Sequence, residues 1–435
     1  MNLIIHRGSQ EVGGSCVELA INESRIVIDI GMPLVDQFGE RFDFSEYENL
    51  SGSELVAKKI LPKLPGFYRW DDSRENIDGL LVSHAHLDHF GFLKFVREDV
   101  PCYLGMASQR LIEISTLYRP EQYSTTHFQH FENRKPFKCG GFSVTPFLMD
   151  HSAFDSYAFA IEGGGKRIIY SGDFRKHGRK PRAFERFLNH APRKADALLL
   201  EGTVFGRQDA ETESEVDIEH AVTNLVKSSD VIVLLYGSST NIDRIVSFYK
   251  ASLRTKRLFV IDVYTAYVLR SLKDFANIPY PSKKWPNVRV MYPYYVSRKL
   301  VQSGNKAILY RFQNFKITRD DISRNPNKIM MVIRSSMLPD LEKIENLDGA
   351  VFIYSLWGGY LKEKPMKKVM EFIERKKMSF HQIHTGGHAD IPTLQQAVST
   401  LQPKVIVPIH TFYPHLYKSL NCNVLNLEDG EVLEL

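Results

Sequence analysis

The chain has 435 residues, of which 43% are hydrophobic and 25% are charged, and its formal net charge is +5. This length predicts two to three domains with ample material for a core, and so mild a charge does not by itself indicate a polyanionic partner. No apolar run reaches the roughly 18 residues that a membrane helix needs. The first residues lack the pattern of a signal peptide, and the four cysteines are far apart with no C-x-x-C pair. This cysteine usage favours a reducing cytoplasm over a disulfide framework.

The first 200 residues contain short apolar or alternating runs rich in β-branched residues, which predict strands. These runs are CVELAI, RIVIDIG, GLLVSHA, FSVTPFL, SYAFAIEG, KRIIYSGD and ALLLEGT. Three consecutive glycines, Gly163 to Gly165, separate two of the runs and predict a hairpin turn. Two segments with helical periodicity, FGFLKFVRE and MASQRLIEISTLY, lie between the strands.

From about residue 212, predicted helices and strands alternate. The alternating segments are ESEVDIEHAVTNLVKSSD, VIVLLYG, NIDRIVSFYKAS, RLFVIDV, KIMMVIR, AVFIYSL and MKKVMEFIERKK. Such alternation predicts βα units on a parallel sheet. The end of the chain returns to strands, with KVIVPIH and a predicted hairpin in NVLNLEDGEVLEL. We therefore expect a layered α/β domain with a second α/β domain inserted into it.

The segment His84-Ala85-His86-Leu87-Asp88-His89 directly follows the predicted strand GLLVS. Three imidazoles and one carboxylate within six residues are expensive to bury without partners. Histidine is the commonest metal ligand, and a site of His and Asp suits zinc or manganese. The spacing lets one loop serve two metals, with His84 and His86 on one side and Asp88 and His89 on the other. The alternative is a His-rich capping loop without metal.

Six further Asp, Glu and His residues stand at or just after the ends of predicted segments. A single residue of this kind is most often part of a turn or a cap. Because the carboxyl ends of neighbouring strands meet, several such residues in one chain can converge there. We therefore expect them to form a site. They are Asp29, His151, Asp173, Glu201, His388 and His410.

These motifs, in this order, resemble the metallo-β-lactamase superfamily and, within it, the β-CASP nucleases. The superfamily's four motifs match Asp29, HAHLDH, His151 in DHSAFDS and Asp173 in YSGDF, and three further β-CASP motifs match Glu201 in LLLEGTVFG, His388 in TGGHAD and His410 in VPIH. HSAFDS, SGDF and DGEVLEL are most similar to the ribonuclease J group. The resemblance implies an αββα sandwich formed by residues 1–201 and 379–435, with a β-CASP α/β cap inserted at residues 202–378.

The resemblance also implies two zinc ions, although manganese suits the same ligand types. One ion would be held by His84, His86 and His151, the other by Asp88, His89 and His410, and Asp173 would bridge the two. A metal-bridging hydroxide would attack phosphorus, with Asp88 orienting or deprotonating the nucleophile. His388 would contact the scissile phosphate and protonate the leaving oxygen, and Glu201 would orient His388 or a ligand. Asp29 is expected to fix the metal-binding loop rather than to bind metal.

Two serine-containing segments of the expected cap are candidate substrate contacts. GSSTNIDR joins a predicted strand to a helix, and a helix N-terminus with hydroxyl groups can bind anions. A similar segment touches RNA phosphates in the ribonuclease J group, whereas simple helix capping is the alternative. The candidates are Ser239, Thr240, Asn241 and Arg244, together with Ser335 and Ser336 after KIMMVIR.

Ten Lys and Arg residues stand against two acids between Lys166 and Lys194. Such a segment can neutralise phosphates, and a solvated face is the alternative. Together with the family resemblance, this basic segment implies a metal-dependent phosphodiesterase. The enzyme would cleave single-stranded RNA as a 5′-exonuclease, an endonuclease or both. His410 favours RNA, because DNA-repair members of the family usually lack this histidine. The family is compatible with a homodimer. A DNA nuclease of the β-CASP repair type and a catalytically weak RNA-binding scaffold subunit are the alternatives.

Overall fold

A computed structural model describes residues 1–36, 39–73, 75–117, 127–207 and 212–435. Two of its sheets belong to the predicted sandwich. The first is formed by β1 (Asn2–Arg7), β2 (Cys16–Ile21), β3 (Ser24–Ile28), β4 (Gly79–Leu81), β5 (Cys102–Leu104), β6 (Phe128–His130) and β19 (Val432–Glu434), in the order β19-β1-β2-β3-β4-β5-β6. The second is formed by β7 (Phe137–Cys139), β8 (Phe142–Met149), β9 (Ser156–Gly163), β10 (Lys166–Tyr170), β11 (Ala197–Glu201) and β18 (Ile406–Ile409), in the order β18-β11-β10-β9-β8-β7.

The third sheet is formed by β12 (Val233–Tyr236), β13 (Leu258–Asp262), β14 (Val288–Met291), β15 (Ile329–Ile333), β16 (Val351–Tyr354) and β17 (Ser379–Gln382), in the order β14-β13-β15-β12-β16-β17. All its pairings are parallel, as the alternation of helices and strands predicts. We propose that this sheet and its helices form the cap. Because β17 pairs with β16, this proposal extends the cap from the expected residue 378 to Gln382.

The helices of the first 200 residues are α1 (Gly52–Ala57), α2 (Leu87–Phe90), α3 (Met106–Thr116) and α4 (Pro181–His190). Those that follow are α5 (Glu215–Lys227), α6 (Ile242–Arg254), α7 (Val263–Ser271), α8 (Tyr294–Gln302), α9 (Ala307–Arg311), α10 (Arg319–Arg324), α11 (Leu338–Leu341), α12 (Lys364–Arg375) and α13 (Ile391–Leu401). None of the helices in the described ranges is long and apolar enough to cross a membrane.

Buried apolar residues on both faces of the central strands explain how the sandwich is layered. Leu19 of the first sheet shares one buried cluster with Phe159 of the second sheet, so the two sheets pack face to face. On the outer face of the second sheet, Phe184 of α4 and Leu394 of α13 share another buried cluster with Leu198 of β11. Helices α1 and α3 cover the outer face of the first sheet in the same way. The predicted αββα layering and the α/β class are therefore confirmed.

Local sequence signals explain several boundaries. Gly164 and Gly165 have φ of 56° and 74° and form the two-residue turn of the β9–β10 hairpin, since such turns require positive φ at both positions. Ser214 begins α5 with a capping box, because its hydroxyl accepts from the Asp217 backbone and the Asp217 carboxylate accepts in return. The predicted helix MASQRLIEISTLY corresponds to α3, and Tyr118 at its end lies outside the described residues.

Two predicted elements are wrong. FGFLKFVRE forms only a 3₁₀ turn at Leu93–Phe95, because the chain becomes extended at Val96. The predicted terminal hairpin does not form, since β19 pairs with β1 and Val424 bridges to Ile406 of β18. Each part of this segment therefore completes the edge of a different sandwich sheet.

A buried charge cluster links the chain near Asp173 to helices α5 and α6. We define it as Arg175, Arg179, Glu215, Asp243 and Arg244. Arg175 donates to Asp243 at 2.9 Å, and Arg244 donates to Glu215 at 3.0 Å. The side chains of Arg175, Glu215 and Arg244 are at most 1% exposed. Removal of one partner from such a pair leaves an uncompensated charge in the interior.

We therefore expect Arg244→Ala to lower the free energy of unfolding by about 3–5 kcal/mol, because Glu215 loses its main partner in a buried site. Urea unfolding followed by circular dichroism measures this change. Lys250→Ala is the matched control on the same helix, since Lys250 is 48% exposed and lies 3.8 Å from Glu219. Its removal should cost less than about 1 kcal/mol, and equal losses in both variants would contradict the buried charge cluster as a stabilising unit.

Candidate metal centre

The histidines and carboxylates predicted from the sequence lie at the carboxyl ends of strands from both sandwich sheets. The HAHLDH segment connects β4 to α2 in the first sheet, and His151, Asp173 and His410 follow β8, β10 and β18 in the second. The ends of the two sheets therefore supply opposite sides of one cleft.

Two of the strand-end residues have an uncommon backbone conformation. Asp29 directly follows β3 with a φ of 60°, and His410 directly follows β18 with a φ of 55°. Residues other than glycine rarely adopt this left-handed region, and such conformations cluster at functional sites. Here the conformation occurs where the chain leaves the sheet, and it places His410 among the potential ligands and Asp29 behind His89.

Asp173 lies at the centre of the site. Its Oδ2 atom is within 4.0 Å of a ring nitrogen of five histidines. The distances are 3.1 Å to His89, 3.6 Å to His410, 3.8 Å to His388, 3.9 Å to His84 and 4.0 Å to His151. Burial alone would raise the pKa of Asp173, but the neighbouring histidines, His410 and His89 first, hold that pKa well below its usual range.

The potential metal ligands form three sets, two of which share Asp173, and the ligand atoms of each set lie within 4.8 Å of one another. The sets are His84, His86 and His151; Asp88, His89, Asp173 and His410; and Asp173, Glu201 and His388. The structure therefore brings together all nine residues that the sequence predicts as ligands or catalytic groups.

The donor atoms fit a metal ion. His86 Nδ1 and His151 Nε2 are 3.2 Å apart, close to the spacing of about 3.3 Å for two nitrogens bound at 2.0–2.1 Å to a tetrahedral zinc ion. Nε2 of His84 and Nε2 of His410 are buried and have no hydrogen-bond partner among the described residues. Buried polar atoms are normally satisfied, and a cation held by each of the two ligand sets would satisfy them.

The electrostatics of the histidines favour metal binding. Burial, reinforced by neighbouring histidines, holds the pKa of His84 well below its usual value, and burial also lowers the pKa of His86, His151 and His410. Since the neutral imidazole is the form that binds metal, these four side chains are ready to act as ligands.

Asp29 belongs to none of the three sets and instead orients His89. The Nδ1 atom of His89 donates to Asp29 at 2.7 Å, while Nε2 of the same ring faces Asp173. Asp29 also accepts from the Ser83 backbone and hydroxyl, at 2.7 and 2.8 Å, and from the Tyr170 hydroxyl at 2.8 Å. A carboxylate placed behind a histidine in this way fixes the tautomer and raises ligand basicity.

His151 is oriented in a similar way. Its Nδ1 atom lies 2.6 Å from the Gly387 carbonyl oxygen and donates to it, so Nε2 of the ring is left for the cleft. The Nδ1 atom of His410 instead accepts from the Gly13 backbone at 3.3 Å and lies 3.0 Å from the Ser15 hydroxyl.

Glu201 connects His388 to the loop that carries Asp173. Both carboxylate oxygens lie 3.2 Å from Nδ1 of His388, and one of them accepts from the backbone of Phe174 at 3.2 Å. Burial lowers the pKa of His388, but Glu201 and Asp173 outweigh burial and raise it overall. His388 is half-buried, so one edge of its ring remains accessible from the cleft.

The prediction that Arg244 contacts substrate is wrong, and so is that for Ser239. Arg244 is buried, and its guanidinium donates to Glu215, to Ser355 and to the Thr385 carbonyl. The Ser239 side chain is buried as well, with its hydroxyl 2.7 Å from that of Thr265. These residues hold the interior of the cap together.

The other four predicted contacts lie at the carboxyl ends of two central strands of the third sheet. Thr240 and Asn241 follow β12, and Ser335 and Ser336 follow the neighbouring parallel strand β15. All four are half-buried or exposed. The Asn241 backbone also bridges to Ala153, two residues after His151. This end of the third sheet therefore adjoins the metal-binding loops.

The basic segment 166–194 is only partly free for phosphates. Arg175 is fully buried, Arg179 donates to Glu219 at 2.7 Å, and the Lys180 ammonium lies 3.4 Å from Asp243. Much of the local positive charge is therefore matched inside the protein by acids distant in sequence.

Sequence reasoning missed Ser15, Ser83 and Tyr170 as partners of the site. Ser83 precedes His84 and was open to inference as a neighbour, but its partner Asp29 is 54 residues away. Ser15 and Tyr170 stand in ordinary loop and strand patterns. Nothing in their local sequence distinguishes them from other residues of these types.

A family model described as a β-lactamase superfamily domain matches residues 56–235. Ribonuclease J of Helicobacter pylori is 24% identical over 459 aligned residues, which cover 98% of this chain and 60% of that protein. Ribonuclease J of Mycobacterium tuberculosis is 21% identical over 364 residues, which cover 80% of this chain and 60% of that protein.

The chain thus resembles ribonuclease J, but it spans about 60% of the length of these relatives. A crystal structure from Enterococcus faecalis V583, described as a protein of unknown function, superposes with a TM-score of 0.79 at 21% identity. The match covers 100% of this chain and 99% of the other, and it supports the fold.

We expect His84→Ala to reduce the bound metal by about one equivalent per chain, because a structural zinc set normally needs three or four protein ligands. Inductively coupled plasma mass spectrometry of the purified protein measures the loss. His220→Ala, at an exposed position on α5, is the matched control and should keep the full metal content. Equal metal content in both variants would rule out His84 as a ligand.

Asp29→Asn keeps the shape of the side chain but removes the charge behind His89. The change should weaken metal affinity about 10- to 100-fold, as is typical when the partner of a ligand histidine is altered. Competition with a chromogenic chelator measures this affinity. An unchanged affinity would show that Asp29 has only a packing role.

Proposed function

We propose that this chain is a metal-dependent nuclease that hydrolyses phosphodiester bonds of single-stranded RNA, with two zinc ions per chain. The observation that carries the proposal is the position of the Asp173 Oδ2 atom, which lies within 4.0 Å of histidine nitrogens from both proposed ligand sets and of His388 beside Glu201. When bound, a pair of metal ions activates water and stabilises the attacking and leaving oxygens of a phosphoryl displacement. The similarity to ribonuclease J supports RNA as the substrate.

The side chains divide this work between holding metal and moving protons. His84, His86 and His151 would hold one metal ion, and Asp88, His89 and His410 would hold the other. Asp173 is grouped with the second set, and its Oδ2 atom lies 3.9 Å from Nε2 of His84 in the first. Asp88 is the most exposed of the three carboxylates in these sets, with 12% of its side chain accessible against 2% for Asp173 and 1% for Glu201. It is therefore the best placed to accept a proton from the attacking water.

His388 is placed to act at the leaving oxygen. Glu201 faces its Nδ1 atom, so the other ring nitrogen is free to hydrogen-bond a phosphate oxygen. Glu201 accepts from Phe174 and Ala389 as well, and it therefore holds the two loops that carry Asp173 and His388 at a fixed spacing. Fixed spacing of this kind lowers the entropic cost of reaching the transition state.

Four side chains at the carboxyl ends of two cap strands would supply phosphate contacts next to the metal centre. Thr240, Asn241, Ser335 and Ser336 lie at the carboxyl ends of β12 and β15, and Asn241 adjoins the His151 loop through its bridge to Ala153. Hydroxyl, amide and backbone N–H groups contact phosphate oxygens without reading sequence. The arrangement supports a substrate strand that lies between the cap and the sandwich.

The metal-loaded protein should cleave 5′-labelled single-stranded RNA, and chelation should abolish cleavage. His388→Ala should lower kcat by about 10²- to 10⁴-fold, the usual loss for a general acid. Gel analysis of timed reactions measures the rate, with His220→Ala as the control. Mononucleotide release indicates an exonuclease, and internal fragments indicate an endonuclease.

The same assay with the matching DNA strand separates the alternatives. Cleavage of DNA without cleavage of RNA would favour a nuclease of the repair type. Binding of RNA without cleavage by the metal-loaded protein would favour a scaffold subunit. Either result would contradict the proposed activity.

A further inference from the structure

Exposed aromatic side chains gather on loops next to the metal centre. Two of them, Trp357 and Tyr360, follow β16 of the third sheet and are 49% and 41% exposed. Two others, Phe412 and Tyr413, follow His410 and are 48% and 39% exposed. We call these four side chains the aromatic rim. Large clustered aromatic surfaces left open to water commonly mark interaction sites.

Arg207 joins the aromatic rim from a third loop, the one that follows Glu201. Its guanidinium lies over the Trp357 ring, 5.5 Å from the ring centre. Tyr360 meets Trp357 edge to face, with ring centres 5.4 Å apart and an angle of 89°. Gly206, the neighbour of Arg207, lies so close to the Tyr413 ring that a Cβ atom on it would clash with that ring. The loop of Gly206 and Arg207 therefore contacts each of the other two loops.

Electrostatic coupling connects this group to the centre itself. Burial raises the pKa of Tyr360, and the Asp88 carboxylate raises it further. The charge of Arg207 acts in the opposite direction on the pKa of Tyr360, and it also opposes protonation of His388. Arg207 thus acts electrostatically on both Tyr360 and His388. The aromatic rim also adjoins the centre along the chain, since Phe412 lies two residues after His410.

The chemistry of the group fits an unpaired nucleobase. Aromatic rings give bases a stacking surface, and arginine adds a cation that suits the adjoining phosphate. Half of the Trp357 surface remains open although Arg207 and Tyr360 already contact the ring. A ring fixed by two neighbours loses little conformational freedom when a base stacks on it.

We propose that Trp357 stacks on an unpaired base of the substrate strand, next to the phosphate held at the metal centre. This inference rests on the proposed nuclease function and adds a base-binding subsite that spans the cap and the sandwich. Because every base offers an aromatic face, the subsite selects single strands over duplexes without reading sequence.

A set of single-stranded RNA oligonucleotides, each with one abasic position, tests the subsite in the metal-loaded protein. For the wild-type chain, one abasic position should lower kcat/KM by roughly 5- to 100-fold, which corresponds to the loss of one stacked base. Trp357→Ala should show a similar loss on intact RNA and no further loss at that position, whereas Trp357→Phe should retain most of the activity. Tyr310→Ala removes a 67% exposed aromatic on α9 and is the matched control.

Unchanged kcat/KM in Trp357→Ala, or the same abasic profile as the wild type, would overturn the subsite while leaving the nuclease proposal intact. If the wild-type chain cleaves no RNA, the proposed function fails, and tryptophan fluorescence decides the subsite separately. Quenching by single-stranded RNA or DNA that disappears in Trp357→Phe supports stacking at this position. Quenching that persists in that variant, or no quenching in the wild type, overturns it.

Discussion

The arrangement of the cleft follows from one requirement, the burial of the Asp173 carboxylate among five imidazoles. Its Oδ2 atom lies 3.1 to 4.0 Å from a ring nitrogen of each. Burial lowers the pKa of His84, His151 and His410, so three of these five rings favour the neutral form, which brings no charge to balance the carboxylates. Divalent cations would offset the negative charge and occupy the unpartnered nitrogens together, which is why the cluster fits metal better than a purely structural role.

Such a cluster requires rigid support, and the sandwich supplies it from two directions. Ligands leave the ends of strands in both sheets, so their spacing is set by the packing of one sheet on the other. Asp29 and His410 leave their strands through left-handed backbone conformations. Behind the ligands, Asp29 fixes His89 and Glu201 fixes His388. The two carboxylates have the same role, although one supports a potential ligand and the other the proposed proton donor.

The sequence predicts most of this site because its residues are strong local signals. HAHLDH and the strand-end Asp, Glu and His residues follow apolar runs, and that placement was enough to predict their convergence. No comparable local pattern in the sequence indicates that an arginine is buried. Arg244 stands in a segment typical of anion binding, yet its partner Glu215 is 29 residues away and Thr385 is 141 residues away. A pairing of this range depends on how the cap folds, which no local pattern specifies.

The same limit applies to strand pairing. The terminal segment alternates like a hairpin, but hairpin formation competes with pairing to existing edges, and β1 and β18 each capture part of it. The helix predicted at FGFLKFVRE fails for a related reason. After α2, Phe92 and Leu93 are buried in the core beneath the HAHLDH loop, and tertiary packing of this kind overrides a weak helical periodicity.

Arg244 has a different importance from the one that its sequence suggests, because it is one of three groups that hold the segment leading to His388. Arg244 donates to the Thr385 carbonyl, Arg175 donates to that of Gly386 at 2.8 Å, and His151 lies 2.6 Å from that of Gly387. Three consecutive carbonyls are thereby tied to the cap, to the loop after Asp173 and to a potential ligand. Arg175 also pairs with Asp243 on α6. A shift of α5 or α6 would therefore change the position of His388 relative to Asp173, so the cap is mechanically coupled to the centre through backbone bonds as well as through any substrate between them.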